Sequence, residues 1–301
     1  MNDNLREQIS SYIYISPFLI IFLVFIGFPF LYAFYLSFHQ VTSLRDVFGG
    51  LQFVGLKNYW LILKDPKFHW ALIATVYYAV LIIPLNIAFS LLLASLMRIP
   101  FKLNSAFRTG FFLPFVLDAF VVGIVWTFLL SGRFGIITNI LRPFISEGIY
   151  RQGFLGTPAT VMPSVATAMV LKGAGFGMVL YLAAMQNIPK EIYEAASIDG
   201  ASGFKRFFYV TLPLLKPVTT FLVITGFIGA ISAFAEFYAM TGGGPTIRVF
   251  GVPQGMTKVT GLYLFDFIQT LKLGKAAALA FILLVITLSI SLFYAKLQKG
   301  K

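Results

Sequence analysis

Cysteine is absent, histidine occurs twice, and acidic residues number only 11 in 301. Without cysteine there is no disulfide and no thiolate metal site. His39 and His69 stand at opposite ends of one loop with no paired ligand, so no metal site is expected. Charged residues make up 11% of the chain, where a soluble domain carries roughly 25%. A soluble fold could not cover the remaining apolar surface with so few charges. A phosphate-binding P-loop is missing too. The Gly-Lys pair ahead of the tail, Gly274-Lys275, has Gln269 where the first glycine of that motif belongs. No nucleophile–base constellation stands out, so a membrane-embedded enzyme has no chemistry to rest on. No internal repeat, low-complexity tract or long linker divides the chain, and a single domain over 1–301 is expected.

Hydrophobic residues make up 58% of the chain, phenylalanine alone occurs 34 times, and the mean hydropathy is +0.86. The solvent for most of this chain is lipid. A net charge of +12 would suit nucleic acid if it formed a patch. The charges are instead scattered between apolar segments, and no nucleic-acid partner is expected. A helix needs about 20 apolar residues to cross the hydrocarbon core. Six segments qualify, at about 14–38, 70–96, 109–130, 161–185, 217–240 and 276–295, which makes the fold an all-α membrane protein. Gly27 and Pro29 interrupt the first, Pro84 lies in the second, and Pro114 lies near the start of the third. Interior prolines are tolerated where neighbouring helices satisfy the freed carbonyls, which implies packed spans. The first apolar run is too long for a signal peptide and no small-residue cleavage site follows it, so it is expected to remain in the mature protein.

Six spans put both termini on one side, with loops 97–108 and 187–216. Each side carries 11 Lys and Arg, and Lys172 lies within a span. The side holding the termini has less loop, so its density of basic residues is higher and points weakly to the cytoplasm.

The 187–216 loop is more than a connector. Pro189 sits where a helix starts without losing a needed N–H, and Glu191 and Glu194 lie early in that helix, where they complement its dipole. Gly200 ends it. Ser202 then caps a second short helix, and Pro213 stops it. Two short helices outside the bilayer make a knob. Ala195 and Ala196 let a partner approach closely, and Glu194 and Asp199 give it charged handles.

Glu194-Ala195-Ala196, three residues, Gly200, nine residues, then Val210-Thr211-Leu212-Pro213 resembles the "EAA" signature of binding-protein-dependent ABC importer permeases. Val210 replaces the usual isoleucine. The flanks Leu182–Glu191 and Ala196–Ala201, the turn Thr241-Gly-Gly-Gly-Pro245, and Gly274-Lys-Ala-Ala-Ala look like the carbohydrate-uptake branch. The resemblance runs from the second span onward. It implies an ABC type-I importer (MetI-like) permease fold in the bacterial or archaeal cytoplasmic membrane. The loop would be a coupling helix docked in a groove of a separate ATPase, with Glu194, Ala195, Ala196, Asp199, Gly200, Leu212 and Pro213 as its signature positions. Two such ATPase subunits would hold ATP and Mg, leaving no cofactor on this chain. A second permease, expected to be a different chain, and an extracytoplasmic solute-binding protein would complete the carrier. The loop must face the ATPase, so the termini are cytoplasmic.

Within the spans, Lys172 is an intramembrane charge and a functional candidate for that reason. Its alternative is a helix-packing lysine that snorkels or pairs. Glu236 lies in Phe234-Ala-Glu-Phe-Tyr238, where relatives resemble Phe-Asp. Here Ala235 takes the acid's place and the carboxylate comes one residue later. Ser232 and Glu236, four apart on a helix, would share a face turned to the sugar, with Phe234 and Tyr238 to stack upon. Asp118 reads as a buried structural acid or a residue of the path. Gly173, Gly175 and Gly177, and the pairs Gly226/Ala230 and Gly229/Ala233, read as close helix packing. The outer loops hold 11 Lys and Arg against Asp46, Asp65, Glu147 and Asp266, leaving +7. That field suits an anionic saccharide or sugar phosphate as well as an acidic binding-protein face. The rival reading is a stand-alone secondary transporter or channel, which has no use for a cytoplasmic knob.

Overall fold

The computed structural model describes residues 3–299 apart from 42, 44, 45, 47, 48, 100 and 250, with backbone alone at 3–10, 295 and 297–299. Residues 1, 2, 300 and 301, which the sequence places on the cytoplasmic side, lie outside the described residues, as does Arg45 of the outer charge count. Among the described residues four helices are long and apolar enough to cross a membrane: Ser11–Ser37, Pro66–Met97, Pro158–Gln186 and Leu273–Tyr294. Two further spans are bent pairs, Asn104–Val116 with Ala119–Leu130 at 101° and Gly203–Leu214 with Lys216–Ile231 at 65°. Counting each pair once gives six. Backbone contacts sort the chain into two compact units, Met1–Asp65 with Leu264–Val285 and Pro66–Tyr263 with Ile286–Lys301, where the sequence suggests a single domain.

In the first unit the opening helix is continuous, but a π turn over Leu23–Gly27 absorbs Pro29. The Phe28 N–H reaches back five residues to the Leu23 carbonyl. Phe30 and Phe34 meet Phe281 edge to face at 5.3 and 5.1 Å. The chain leaves the membrane through a short antiparallel pair, His39–Gln40 with Gln52–Phe53. Buried Asn58 ties that exit down, donating to the Ser37 and His39 carbonyls at 2.9 and 3.0 Å.

In the second unit the Pro158–Gln186 helix is the central element. Gly173 faces Asn86 and Gly177 faces Ser90, both on the Pro66–Met97 helix, while Gly175 lies against the Phe111 carbonyl of the 104–116 segment. The Ser90 hydroxyl donates to the Ala174 carbonyl at 3.0 Å, a cross-helix bond that such proximity permits. Gly226 packs on Ile83, but a Cβ at Gly229 would meet open space. Tyr78 and Phe237, both fully buried, cross edge to face at 4.8 Å.

The third and fifth spans, each read from the sequence as one apolar segment, are not continuous helices. The third breaks at Leu117 and Asp118, both extended. Asp118 is exposed, not buried, and its carboxylate accepts the Phe120 N–H at 2.8 Å as a helix cap. The fifth ends its helix at Ile231 and resumes at Ala235–Met240. Ser232 and Glu236 therefore do not share one helical face. The break is sustained by Thr260, whose hydroxyl donates to the Ile231 carbonyl at 2.9 Å, and whose N–H donates to the Thr75 hydroxyl at 2.9 Å. The Gly242–Pro245 turn then leads into a hairpin, Thr246–Val249 with Val252–Gly255. Thr257 closes that turn, donating its hydroxyl to the Gly244 carbonyl at 2.7 Å.

Gly175→Val should drive side-chain atoms into the Phe111 carbonyl and destabilise the protein by about 3 kcal/mol or more. Gly229→Ala, with open space at the same kind of residue, should be near neutral. Fluorescence-detected size exclusion after stepwise heating in detergent measures both.

Candidate functional site: an exposed helical knob and an intramembrane cavity

Helix Lys190–Ile198 starts directly after Pro189 and ends in a Schellman turn. The Gly200 N–H donates to the Ser197 carbonyl at 3.1 Å and the Ala201 N–H to the Ala196 carbonyl at 2.8 Å. Gly200 sits at φ +76°, where a side chain is strained. Glu191, Glu194, Ala195 and Asp199 are exposed, and the carboxylates of Glu194 and Asp199 make no hydrogen bond or ion pair among the described residues. Ala196 is buried against its own chain, so of the two alanines only Ala195 is open to a partner. Ile198 at 87% exposure and Phe204 at 83% add apolar surface to the knob. Sequence reasoning placed Ile198 among the apolar residues of the first helix and passed over Phe204. Their signal was an isoleucine and a phenylalanine on short polar helices, outside any span.

Ser202 occupies the cap position of the next helix, Gly203–Arg206, but its side chain makes no capping bond. Pro213 does not stop that helix as the sequence suggests. A π turn over Phe207–Thr211 comes first, with the Leu212 N–H bonded to the Phe207 carbonyl. The wider turn accommodates the proline ring, which would clash in a regular α-turn. Pro213 then lies inside Leu212–Leu214, and the chain bends at Leu215 into the fifth span.

The second feature is a cavity of about 430 Å³ between the second, third, fourth and fifth spans. Ligand pockets commonly measure about 300–1,000 Å³. Lys172 and Glu236 both line it, with Tyr78, Asn86, Thr225 and Phe115. The Lys172 ammonium donates to the Phe115 carbonyl at 3.2 Å and lies 5.5 Å from that ring's centre. The Glu236 carboxylate accepts from the Tyr78 hydroxyl at 3.3 Å. The structure thus brings together two residues from distant parts of the sequence and surrounds them with neutral donors and acceptors. Asn86, Tyr78 and Thr225 were legible only as polar residues inside apolar spans. Ser232, Phe234, Tyr238 and Asp118 do not line this cavity. Phe234, Tyr238 and Phe120 instead form a row of stacked rings, at 5.5 and 6.2 Å, with Asp118 capping beneath Phe120. Among the described residues no group of three or more His, Cys, Asp and Glu is placed to hold a metal ion.

A family model described as "Binding-protein-dependent transport system inner membrane component" matches residues 86–301. The chain belongs to this family. This inner membrane transport component is similar along 98% of its length to a probable ABC transporter permease, YurN, of Bacillus subtilis, at 33% identity over 97% of that protein. It is similar over the same share of its length to the trehalose/maltose transport system permease MalF of Thermococcus litoralis, at 31% identity over 95% of that protein. Its fold matches a chain of a bacterial ABC transporter involved in the import of the acidic polysaccharide alginate. The TM-score is 0.81, the identity 22%, and the match covers 99% of this chain and 97% of that one.

For a component of this family the knob's outward carboxylate and its capped end are separable features. Glu194→Lys reverses the charge of an exposed side chain and should leave membrane insertion intact while abolishing transport. Gly200→Val forces a β-branched residue into the left-handed region, at a cost of about 1–2 kcal/mol, and should also abolish transport. Uptake by cells and immunoblots of membrane fractions read the two effects apart.

Proposed function

We propose that this chain is one permease of an ATP-binding-cassette carbohydrate importer, working by alternating access driven by a separate ATPase. The observation that carries the reading is the helix Lys190–Ile198. It is capped at its end, and it presents Glu194, Ala195, Ile198 and Asp199 away from its own chain. A secondary transporter working alone has no use for such a surface. Two ATPase subunits would dock there and hold ATP and Mg, and this chain itself would carry no cofactor. A second permease, most simply a different chain, would face the row of Phe234, Tyr238 and Phe120. A solute-binding protein would deliver cargo from outside. The 187–216 loop and both termini lie on the cytoplasmic side, and the Thr246–Gly255 hairpin lies outside.

The cargo reading rests on the cavity's chemistry. A carbohydrate offers many hydroxyls and apolar C–H faces. Glu236 accepts hydrogen bonds, Lys172 donates them, Asn86 and Thr225 do both, and Phe115 supplies a ring. The relative from Thermococcus litoralis is named for trehalose and maltose, and the matched structure for alginate, which supports the same class. The two charges in the cavity are of opposite sign, so a neutral oligosaccharide needs no counter-charge to enter. Lys172 with the net +7 of the outer loops leaves room for an anionic sugar or a sugar phosphate.

Glu236→Ala should weaken transport about tenfold or change which sugar is carried, as expected for losing a hydrogen bond to a charged acceptor. Assembly with the ATPase should persist. Uptake of a panel of labelled sugars into proteoliposomes is the measurement. Unchanged kinetics and selectivity would remove Glu236 from the path. Orientation has its own test, because the chain has no cysteine. A cysteine at exposed Ser202 should react with a membrane-impermeant maleimide only from the cytoplasm, and one at exposed Ser146 only from outside. The reverse pattern would overturn the topology.

A further inference from the structure

Tyr193 is the most heavily engaged side chain on the knob, and no signature position explains it. Its ring is half-buried on the inward side of Lys190–Ile198. The Arg98 guanidinium lies 4.6 Å from the ring centre, and that of Arg206 lies 5.8 Å away. The phenol oxygen accepts from Arg98 Nη1 at 3.3 Å and from the Thr211 hydroxyl at 3.4 Å. Arg206 also donates to the Ser197 hydroxyl, one turn further along, at 3.4 Å.

The three partners come from different places. Arg98 follows the last residue of the Pro66–Met97 helix and stays in its hydrogen-bond ladder, its N–H bonded to the Ala94 carbonyl at 3.0 Å. Arg206 ends the short helix that follows Lys190–Ile198, and buried Thr211 ends the π turn that leads into the fifth span. One aromatic ring thus joins the knob to the cytoplasmic ends of spans two and five. Those same spans supply Tyr78, Asn86 and Thr225 to the cavity. Arginine suits this junction. Its planar, weakly hydrated guanidinium stacks on an aromatic face and still donates from its edge. Neither arginine pairs with Glu191 or Glu194 among the described residues, so both acids stay available to a partner.

We infer that Tyr193 is a positioning residue that latches the knob to spans two and five, so that movement imposed on the knob by the ATPase reaches the cavity walls. This rests on the knob being the ATPase-docking site. The latch acts behind the docking face, not on it. Losing it should therefore uncouple hydrolysis from transport without releasing the ATPase.

The test uses the whole complex, with its second permease, ATPase subunits and binding protein, in proteoliposomes supplied with a transported sugar. In Tyr193→Ala the ATPase subunits should co-purify within about twofold of wild type. Hydrolysis stimulated by the binding protein should continue, while sugar taken up per ATP falls about tenfold. Tyr193→Trp keeps a face for both guanidiniums and should recover most of that coupling. Arg98→Gln should lose part of it. Unchanged uptake per ATP in Tyr193→Ala overturns the latch. So does loss of the ATPase or of membrane insertion that tryptophan does not restore, because the residue would then be purely structural. Glu194→Lys run in parallel separates the two ideas. If it releases the ATPase while Tyr193→Ala stays coupled, the latch fails and the docking site stands. If it leaves docking and transport intact, the docking site itself fails.

Discussion

Glycines at 173, 175 and 177 let the Pro158–Gln186 helix touch two neighbours at backbone distance, and the second unit is arranged around those contacts. Lipid tails are as apolar as leucine, so membrane helices gain little by hiding hydrophobic side chains from one another. Close fit and interhelical hydrogen bonds must do that work. Here Gly173 and Gly177 bring the helix against Asn86 and Ser90, and Ser90 bonds to the Ala174 carbonyl. Gly175, on another face, seats the 104–116 segment. The same geometry puts Lys172 next to Phe115 and opens the cavity beside them.

Backbone polar groups cannot be left unpaired in hydrocarbon, so each break in a helix needs a supplier of hydrogen bonds. Asp118 supplies one at the bend of the third span, and Thr260 with Thr75 supplies them where the fifth span is interrupted. These breaks set where side chains reach. The first turns Phe120 toward Tyr238, and the second starts a new helix on which Glu236 reaches the Tyr78 hydroxyl. On the knob side, the π turn before Pro213 lets the chain run from a surface helix into a span while keeping Thr211 within reach of Tyr193. The knob helix, the Arg206 and Thr211 contacts of Tyr193, and the fifth-span part of the cavity wall are thus successive parts of one stretch of chain.

Much of this was readable from residue order. Apolar runs of sufficient length marked the spans, glycines one turn apart marked the close approach, and Pro189 and Gly200 bracketed the knob helix. What failed shares one cause: the sequence shows a bend only where its own residues force one. Phe234 carries no breaking signal, and the interruption of the fifth span depends on Thr260, more than twenty residues further on. Hence Ser232 and Glu236 looked like neighbours on one face and are not. Pro213 looked like a stop because a π turn leaves little trace in composition. The cavity was invisible for a related reason. Lys172 and Glu236 lie far apart in sequence, and Asn86 and Tyr78 are single polar residues among dozens of apolar ones. Only packing reveals that they share a space.

The central claim is that the Lys190–Ile198 helix rests directly on an ATPase subunit. Ile198, almost fully exposed at the end of that helix and in a chain without cysteine, is the position to ask. In the purified complex, a single Ile198→Cys carrying a short photoactivatable crosslinker should join this chain to the ATPase subunit, and mass spectrometry should place the link in a surface groove of that subunit. Crosslinking only to the second permease or to lipid, in a complex that retains its ATPase, would contradict the account.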